Sequence, residues 1–173
     1  MPVGAAQTSY RLRPYEPGDL GFLWEMLYEA AHWRPGEPWP PKEEALSEPK
    51  LARYLQDWGR PGDTAVLAID LDGDVRLGAA WYRLMTSDEP GYGFVDDGTP
   101  EVALAVVTDH RGRGLGGALL RELRDAARSQ GYSALSLSVE KGNPALGLYE
   151  RNGFVKLFET EDAWTMRANL SAG

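Results

Sequence analysis

The 173-residue chain contains no cysteine. Disulfides, thiolate metal sites and cysteine nucleophiles are thereby excluded. Long apolar runs are also absent, and none approaches the length that crosses a bilayer. The first ten residues, MPVGAAQTSY, have neither a basic start nor an apolar core. They do not read as a signal peptide, so a cytoplasmic protein is expected. Positive charge is in the minority: 18 Lys and Arg stand against 26 Asp and Glu, a net charge of −8. A nucleic-acid binder usually carries a dominant basic face, so neither nucleic acid nor membrane is an expected partner. The acidic balance suits attraction of a cationic amine, or simply solubility.

What is present is enough for a core. Hydrophobic residues make up 43% of the chain, and its length is that of one ordinary domain, residues 1–173. No repeat and no interdomain linker interrupts it.

The chain is organised around Glu101 to Gly131, EVALAVVTDHRGRGLGGALLRELRDAARSQG. An apolar run, Val102 to Val107, predicts a strand. Gly112, Gly114, Gly116 and Gly117 follow within six residues. Leu115, Leu119 and Leu123, continued by Ala126 and Ala127, then recur at helical spacing, with Arg121, Glu122, Arg124, Asp125 and Arg128 on the other face. Gly131 suits the positive φ that ends such a helix. The three arginines of that face are expected to be solvated.

Strand, glycine-rich turn and helix in that order make an anion site. Amides at the start of a helix lack intrahelical partners, and the helix dipole adds partial positive charge. Arg111 and Arg113 add full charges and forked donors. No GK[ST] follows, so this is not a nucleotide P-loop. Gly112, Gly114 and Gly117 do satisfy GxGxxG, and Glu140 ends the next predicted strand, where a dinucleotide fold places its ribose-binding acid. An NAD-type reading is therefore one alternative.

A second reading takes in more residues. Arg111, Gly114 and Gly116 match R/Q-x-x-G-x-G/A, preceded by Leu104 and Val106. This resembles the pyrophosphate loop of the GNAT-type N-acetyltransferases, which bind acetyl-coenzyme A (acetyl-CoA). The segment NPALGLYERNGF, Asn143 to Phe154, resembles that family's second signature: an Asn, a short helix carrying a Tyr, then GF leading into a strand. The likeness is strongest over residues 101–157. The family often has a proline between strand and arginine, where this chain has Thr108-Asp109-His110.

The rest of the chain predicts a strand at Tyr10 to Pro14 and a helix capped by Asp19 and carrying Leu20, Leu23, Met26, Leu27 and Ala30. A proline-rich loop spans Trp33 to Pro41. A second helix from about Glu43 to Trp58 is interrupted or offset near Pro49. Thr64 to Leu71 and Val75 or Leu77 to Met85 form a hairpin about Asp72-Gly73-Asp74. Tyr132 to Val139 alternates as a strand, Asn143 caps a short helix with Pro144 at its first position, and Phe154 to Leu157 with Ala163 to Leu170 close a hairpin. The expected class is α/β (α+β): a mostly antiparallel mixed sheet with one parallel βαβ step and helices on both faces. A dinucleotide fold needs successive βαβ units, and only one is evident.

The resemblance implies that the parallel strands splay and that acetyl-CoA inserts between them. The activity implied is acyl transfer, an N-acetyltransferase acting by direct attack on an amine in a ternary complex. Amides of Gly112, Arg113, Gly114, Leu115, Gly116 and Gly117, with the Arg111 and Arg113 side chains, would hold the pyrophosphate. Backbone groups near Ala105 and Val106 would pair with the pantetheine arm, and the Val106 N–H would polarise the thioester carbonyl. Asn143 would contact the cofactor arm, or serve only as a helix cap. Tyr149 would lie by the sulfur, or only in the core. Proton transfer from a phenol to a thiolate is uphill by about 2 kcal/mol, which favours hydrogen bonding or a concerted step. Glu101, flanked on its face by small Ala103 and Ala105 that would leave open space, would be the base, or a solvated strand-end glutamate. Asp96, Asp97 and His32 are weaker base candidates, and His110 is expected exposed or near phosphate. Tyr28, Trp33, Trp39, Trp81, Tyr82 and Tyr92 fall in segments that line the family's acceptor cleft; most are expected in the core, and some would shape an acceptor pocket. A silent acyl-CoA-binding module is a third reading. The acceptor, a small-molecule or peptide amine, and dimerisation stay open, and no metal site is read.

Overall fold

The structure, a computed structural model, describes residues 9–170. Residues 1–8 of the segment read above for a signal peptide lie outside that range. Seven strands form one sheet: β1 Tyr10–Pro14, β2 Thr64–Asp70, β3 Arg76–Arg83, β4 Glu101–Val106, β5 Ala134–Glu140, β6 Val155–Glu159 and β7 Ala163–Asn169. Their spatial order is β1-β2-β3-β4-β5-β7-β6. Every neighbouring pair is antiparallel except β4 with β5. Five helices complete the fold: α1 Leu20–Ala31, α2 Lys42–Leu46, α3 Pro49–Ala52, α4 Leu115–Ser129 and α5 Ala145–Arg151. The single parallel step rules out the doubly wound dinucleotide architecture.

Alternation along the strands sorts the core onto the two sheet faces. Val66, Ala80, Val102, Leu135 and Leu137 pack with Leu115, Leu119, Leu120 and Leu123 of α4 and with Tyr149 of α5. Leu67, Ala79, Trp81 and Ala105 pack with Leu23, Met26 and Leu27 of α1 and with Tyr54. Each fully buried leucine contributes about 1.5–3 kcal/mol relative to exposure. Helix α4 ends at Gly131, whose φ of +91° is left-handed, and the Tyr132 amide donates to the Ala127 carbonyl there.

Two expectations are corrected. The helix of 43–58 is broken near Pro49 as expected, but it does not resume as far as Trp58: α2 and α3 are short, Pro49 begins α3, and turns carry the chain on to Trp58. Proline lacks a helix-interior donor but suits a first turn. Arg124 and Arg128 are not merely solvated. Arg124 donates to the Asn152 carbonyl and, at 3.3 Å, to that of Asn169, while Arg128 donates to Leu170 O at 2.9 Å. They satisfy carbonyls where strands and helices end. Trp81 and Tyr82 are fully buried core residues, the reading expected for most of the aromatic set.

Candidate active site

Strands β4 and β5 touch only at their start. Their one register pair is Glu101 with Ser136, and the Ser136 amide donates to Pro100 O at 2.9 Å. Beyond it the strands part, so the last two-thirds of the β4 edge facing β5 has no strand beside it. Which amides lie on that edge follows from β3. Val107 N–H donates to Leu77 O, and β3 pairs Ala79 with Ala105 and Gly78 with Val106. Antiparallel alternation then turns 105 and 107 toward β3, and 104 and 106 toward the gap. Val106 N–H therefore faces the gap, as expected. Ala105 does not, because its backbone groups lie on the β3 side of the ladder, and its expected pairing across the gap is withdrawn.

The gap leads to the glycine turn. Gly112 and Gly114 have φ of +76° and +87°, a conformation costly for residues with a Cβ. Gly116 and Gly117 serve a different end. A Cβ at Gly116 would meet Leu148 Cδ2 at 2.8 Å, and at Gly117 would lie 3.1 Å from an Arg121 nitrogen. The first two glycines shape the turn, Gly116 lets α4 approach Leu148 of α5, and Gly117 leaves room for the Arg121 side chain of its own helix. The opening amides of the 15-residue α4, at Leu115, Gly116 and Gly117, remain as anion donors. Arg111 folds back: its Nε–H donates to Val106 O at 3.0 Å and its Nη2 to Glu29 Oε2 at 3.2 Å. It braces the end of β4 against α1 instead of pointing into the turn. Arg113 is exposed in the turn. Thr108–His110 form a short 3-10 turn, and His110 Nδ1 is buried without a partner.

Asn143 Oδ1 accepts from the Ala145 amide at 2.9 Å, so it does cap α5. Tyr149 of α5 is 9% exposed and packs edge-on to Phe154, ring centroids 6.0 Å apart. Burial pushes its phenol up to about 12. Its hydroxyl makes no hydrogen bond among the described residues.

Glu101 lies on the opposite face from Tyr149, at the closed end of the gap. It is 1% exposed, and no open space adjoins it. Tyr54 O–H donates to its Oε2 at 2.7 Å, and the Tyr92 amide donates to the Tyr54 oxygen at 2.9 Å. A Cβ at Gly91 would fall 2.1 Å from Oε2, so only glycine fits there. Both the open-space and the solvated-glutamate expectations fail, since the 91–93 turn and Tyr54 fill the volume beside Ala103 and Ala105. Burial raises the Glu101 pKa, countered by the Tyr54 hydrogen bond, the Gly93 amide, Lys50 and the Gly91 amide. Tyr54 carried no chemical signal in sequence. Its tie to Glu101 spans 47 positions, which no local pattern reports.

The weaker base candidates have structural work. Asp96 accepts from Gly98 N and Thr99 Oγ1, Asp97 from Ser87 N, and His32 Nδ1 lies 2.7 Å from Tyr28 O. Glu140, at the end of β5, pairs with Arg34 at 3.0 Å. An open cleft of about 360 Å³ lies there, lined by His32, Trp33, Arg34, Glu37, Trp39 and Glu140. Tyr28, His32 and Trp39 stack together at its edge. Tyr92 is 48% exposed and stacks on Tyr54.

A sheet with one parallel pair that splays beside a glycine turn matched the predicted resemblance, and comparison with known families decides it. The family model described as the acetyltransferase (GNAT) family matches residues 24–154. The chain belongs to the GNAT family. Its GNAT relatives include an L-methionine sulfoximine/L-methionine sulfone acetyltransferase of Pseudomonas aeruginosa, 41% identical over 96 residues, which is 55% of this chain and 52% of that enzyme. A mycothiol acetyltransferase of Corynebacterium aurimucosum is 30% identical over 122 residues, 67% of this chain and 38% of that enzyme. The chain thus spans about half or less of the length of the relatives it matches. A Salmonella typhimurium acetyltransferase solved with acetyl-CoA superposes with a TM-score of 0.65 at 21% identity, covering 95% of each chain. At that identity the likeness is one of GNAT fold. Among the described residues no helix is long and apolar enough to cross a membrane, and no group of three or more His, Cys, Asp or Glu could hold a metal ion.

Proposed function

We propose that the chain is an acetyl-CoA-dependent N-acetyltransferase that transfers its acetyl group to a small-molecule amine by direct attack in a ternary complex. The observation that carries this is the unpaired β4 edge, with Leu104 and Val106 amides in a gap that ends at a glycine turn and helix N-terminus. These residues fit the cofactor: the edge accepts an extended amide-bearing arm as a strand would, and the turn accepts a pyrophosphate. When bound, acetyl-CoA supplies an acetyl group activated as a thioester.

The chain's own residues then have separable tasks. Amides of residues 112–117, with Arg113, hold the phosphates, and Arg111 keeps Val106 in place. Val106 N–H stabilises the developing oxyanion. Asn143 presents the start of α5 to the gap. Tyr149 donates a hydrogen bond toward the departing sulfur from one face, and Glu101 takes the amine proton from the other. We place the acceptor in the α1-side cleft. The similarity to the methionine sulfoximine enzyme supports an amino-acid-like acceptor, and Arg34 offers a cation for its carboxylate.

Thermal unfolding with acetyl-CoA, with NAD and without ligand tests this, followed by assay of coenzyme A release with small amines. Ligand at 100 times its dissociation constant adds about 2.7 kcal/mol of stability. Stabilisation by acetyl-CoA alone, with amine-dependent release, is expected. Binding without release for any amine would favour the silent module, and a response to NAD alone would overturn the reading.

A further inference from the structure

Glu101 is held firmly on one oxygen; the Gly91 and Gly93 amides lie close enough to favour its charge, but neither reaches hydrogen-bond geometry at the other. Oε2 takes the Tyr54 hydrogen bond at 2.7 Å. Oε1 is buried and has no partner of hydrogen-bonding geometry. A carboxyl flanked by a flexible loop could rotate and exchange the two oxygens. Here it cannot do so freely. Tyr54 is itself fixed by the Tyr92 amide and by stacking on the Tyr92 ring at 6.3 Å. The turn above is clamped at both glycines, since a Cβ at Gly91 would meet Oε2 at 2.1 Å and one at Gly93 would meet the Leu137 backbone at 2.4 Å. Arg53 donates to Pro90 O at 2.8 Å and secures the start of the same turn.

The free oxygen has a polar neighbour across the strands. Ser136 is the register partner of Glu101 in the parallel pair, so the two side chains project from the same face. Its Oγ is also buried and unpartnered. Two polar atoms with unused bonding capacity therefore sit on adjacent strands at the closed end of the gap.

We propose that Tyr54 is a positioning residue which, with the Gly91–Gly93 turn, locks the Glu101 carboxyl so that Oε1 alone receives the acceptor's proton, relayed through water because Oε1 itself is buried. In that step an N–H bond of the acceptor ammonium breaks and its electron pair stays on nitrogen. A water takes that proton as one of its own passes to Oε1, the carboxylate becomes a carboxylic acid, and the freed lone pair can form the new C–N bond as the thioester C–S bond breaks and the coenzyme A thiolate leaves. The proton-accepting half of this rests on the acetyl-transfer reading, whereas the positioning half does not. Burial pushes Glu101 up, toward the range of a useful base, and the Tyr54 hydrogen bond restrains that rise. The other groups around Glu101 are the Tyr92 phenol, Lys50 whose Nζ lies 4.8 Å from the Tyr92 ring centroid, and, on β3, Arg83, which is committed to Asp63.

The test reads the Glu101 carboxyl directly. Its side-chain carbon-13 shift is followed against pH in the wild-type chain, in Tyr54→Phe, and in a chain carrying 3-fluorotyrosine at position 54. The pH dependence of kcat/KM for acetyl transfer to a primary amine is measured beside it. Loss of the donor in Tyr54→Phe should move the Glu101 midpoint up by about one pH unit, while the more acidic fluorophenol should move it down. The acid limb of kcat/KM should move with it, so that the rate on that limb falls about tenfold in Tyr54→Phe with the plateau little changed. Should Tyr54→Phe fail to fold, the fluorotyrosine chain still decides by the opposite shift. A Glu101 midpoint indifferent to both changes overturns the positioning role. A midpoint that moves while the rate profile stays put overturns Oε1 as proton acceptor. Wild-type chain that binds acetyl-CoA without transferring it removes the proton-accepting half, and the carboxyl titration still decides the other.

Discussion

At the Tyr149 hydroxyl, packing and chemistry act on one atom. Burial lifts the phenol to about 12, so full proton transfer to a coenzyme thiolate of ordinary pKa would be uphill by about 5 kcal/mol. A hydrogen bond to the sulfur escapes that cost. Tyr149→Phe should then lower kcat about 10- to 100-fold, the range of a lost hydrogen bond to a charged group. The KM for acetyl-CoA and the midpoint of unfolding should barely change, because the hydroxyl makes no hydrogen bond within the described protein. Steady-state kinetics with a calorimetric scan check this, and an unchanged kcat would remove Tyr149 from the chemistry. The glycines teach a related lesson. The glycines look alike in sequence, yet Gly112 and Gly114 answer to backbone torsion whereas Gly116 answers to the Leu148 side chain of α5. The first kind of demand is local. The second exists only once helices meet.

Among the elements, the irregular segment after α3 depends on one side chain of β3. Arg83 is 1% exposed and grips Asp63 with two donors, at 3.0 and 2.7 Å, while its Nη1 donates to the carbonyls of Arg53 and Gln56. Asp63 in turn accepts from the Gly59 and Arg60 amides. Helical turns carry the backbone only as far as Gln56; beyond it this cluster holds the segment, and it holds Tyr54 over Glu101. Arg83→Met fills similar volume but strands a buried carboxylate and two carbonyls. It should cost about 3–5 kcal/mol, read by urea unfolding, and should also depress activity through Tyr54. A loss under about 1 kcal/mol would show that the cluster is not what secures the segment. Periodicity predicted that the helix of 43–58 would continue past the break near Pro49 to Trp58, because leucines and aromatics at helical spacing are just as compatible with α3 followed by turns. The choice between them was made by Arg83, which lies 20 or more positions away in sequence.

Over the whole molecule, one sheet separates two apolar layers, and both report on folding. Trp81 lies in the α1-side layer and Trp164 packs on the α4-side layer. Strands such as β3 and β4 place alternate residues in each, so neither layer can dissolve without breaking the shared sheet. Unfolding should be one cooperative event, with tryptophan fluorescence and far-ultraviolet circular dichroism tracing coincident curves. Two separated transitions would mean that the layers are independent.

The central strand, turn and helix, the Val106 amide facing the gap and the family itself were legible in the sequence. The strand, turn and helix rest on short-range rules (alternation, helical spacing, and glycine where φ is positive), whereas the Val106 amide and the family came from the resemblance of two motifs in order. The parallel step and the class of the sheet followed from the order of elements. Only the tertiary structure decided the surroundings of Glu101, the inward fold of Arg111, the core burial of Trp81 and Tyr82, and the grip of Arg83 on Asp63. Those outcomes depend on which distant residues share a volume, and on the strong cost of leaving a buried charge or donor unpaired. A sequence pattern displays the group that needs a partner, and the packed fold alone selects which one it receives.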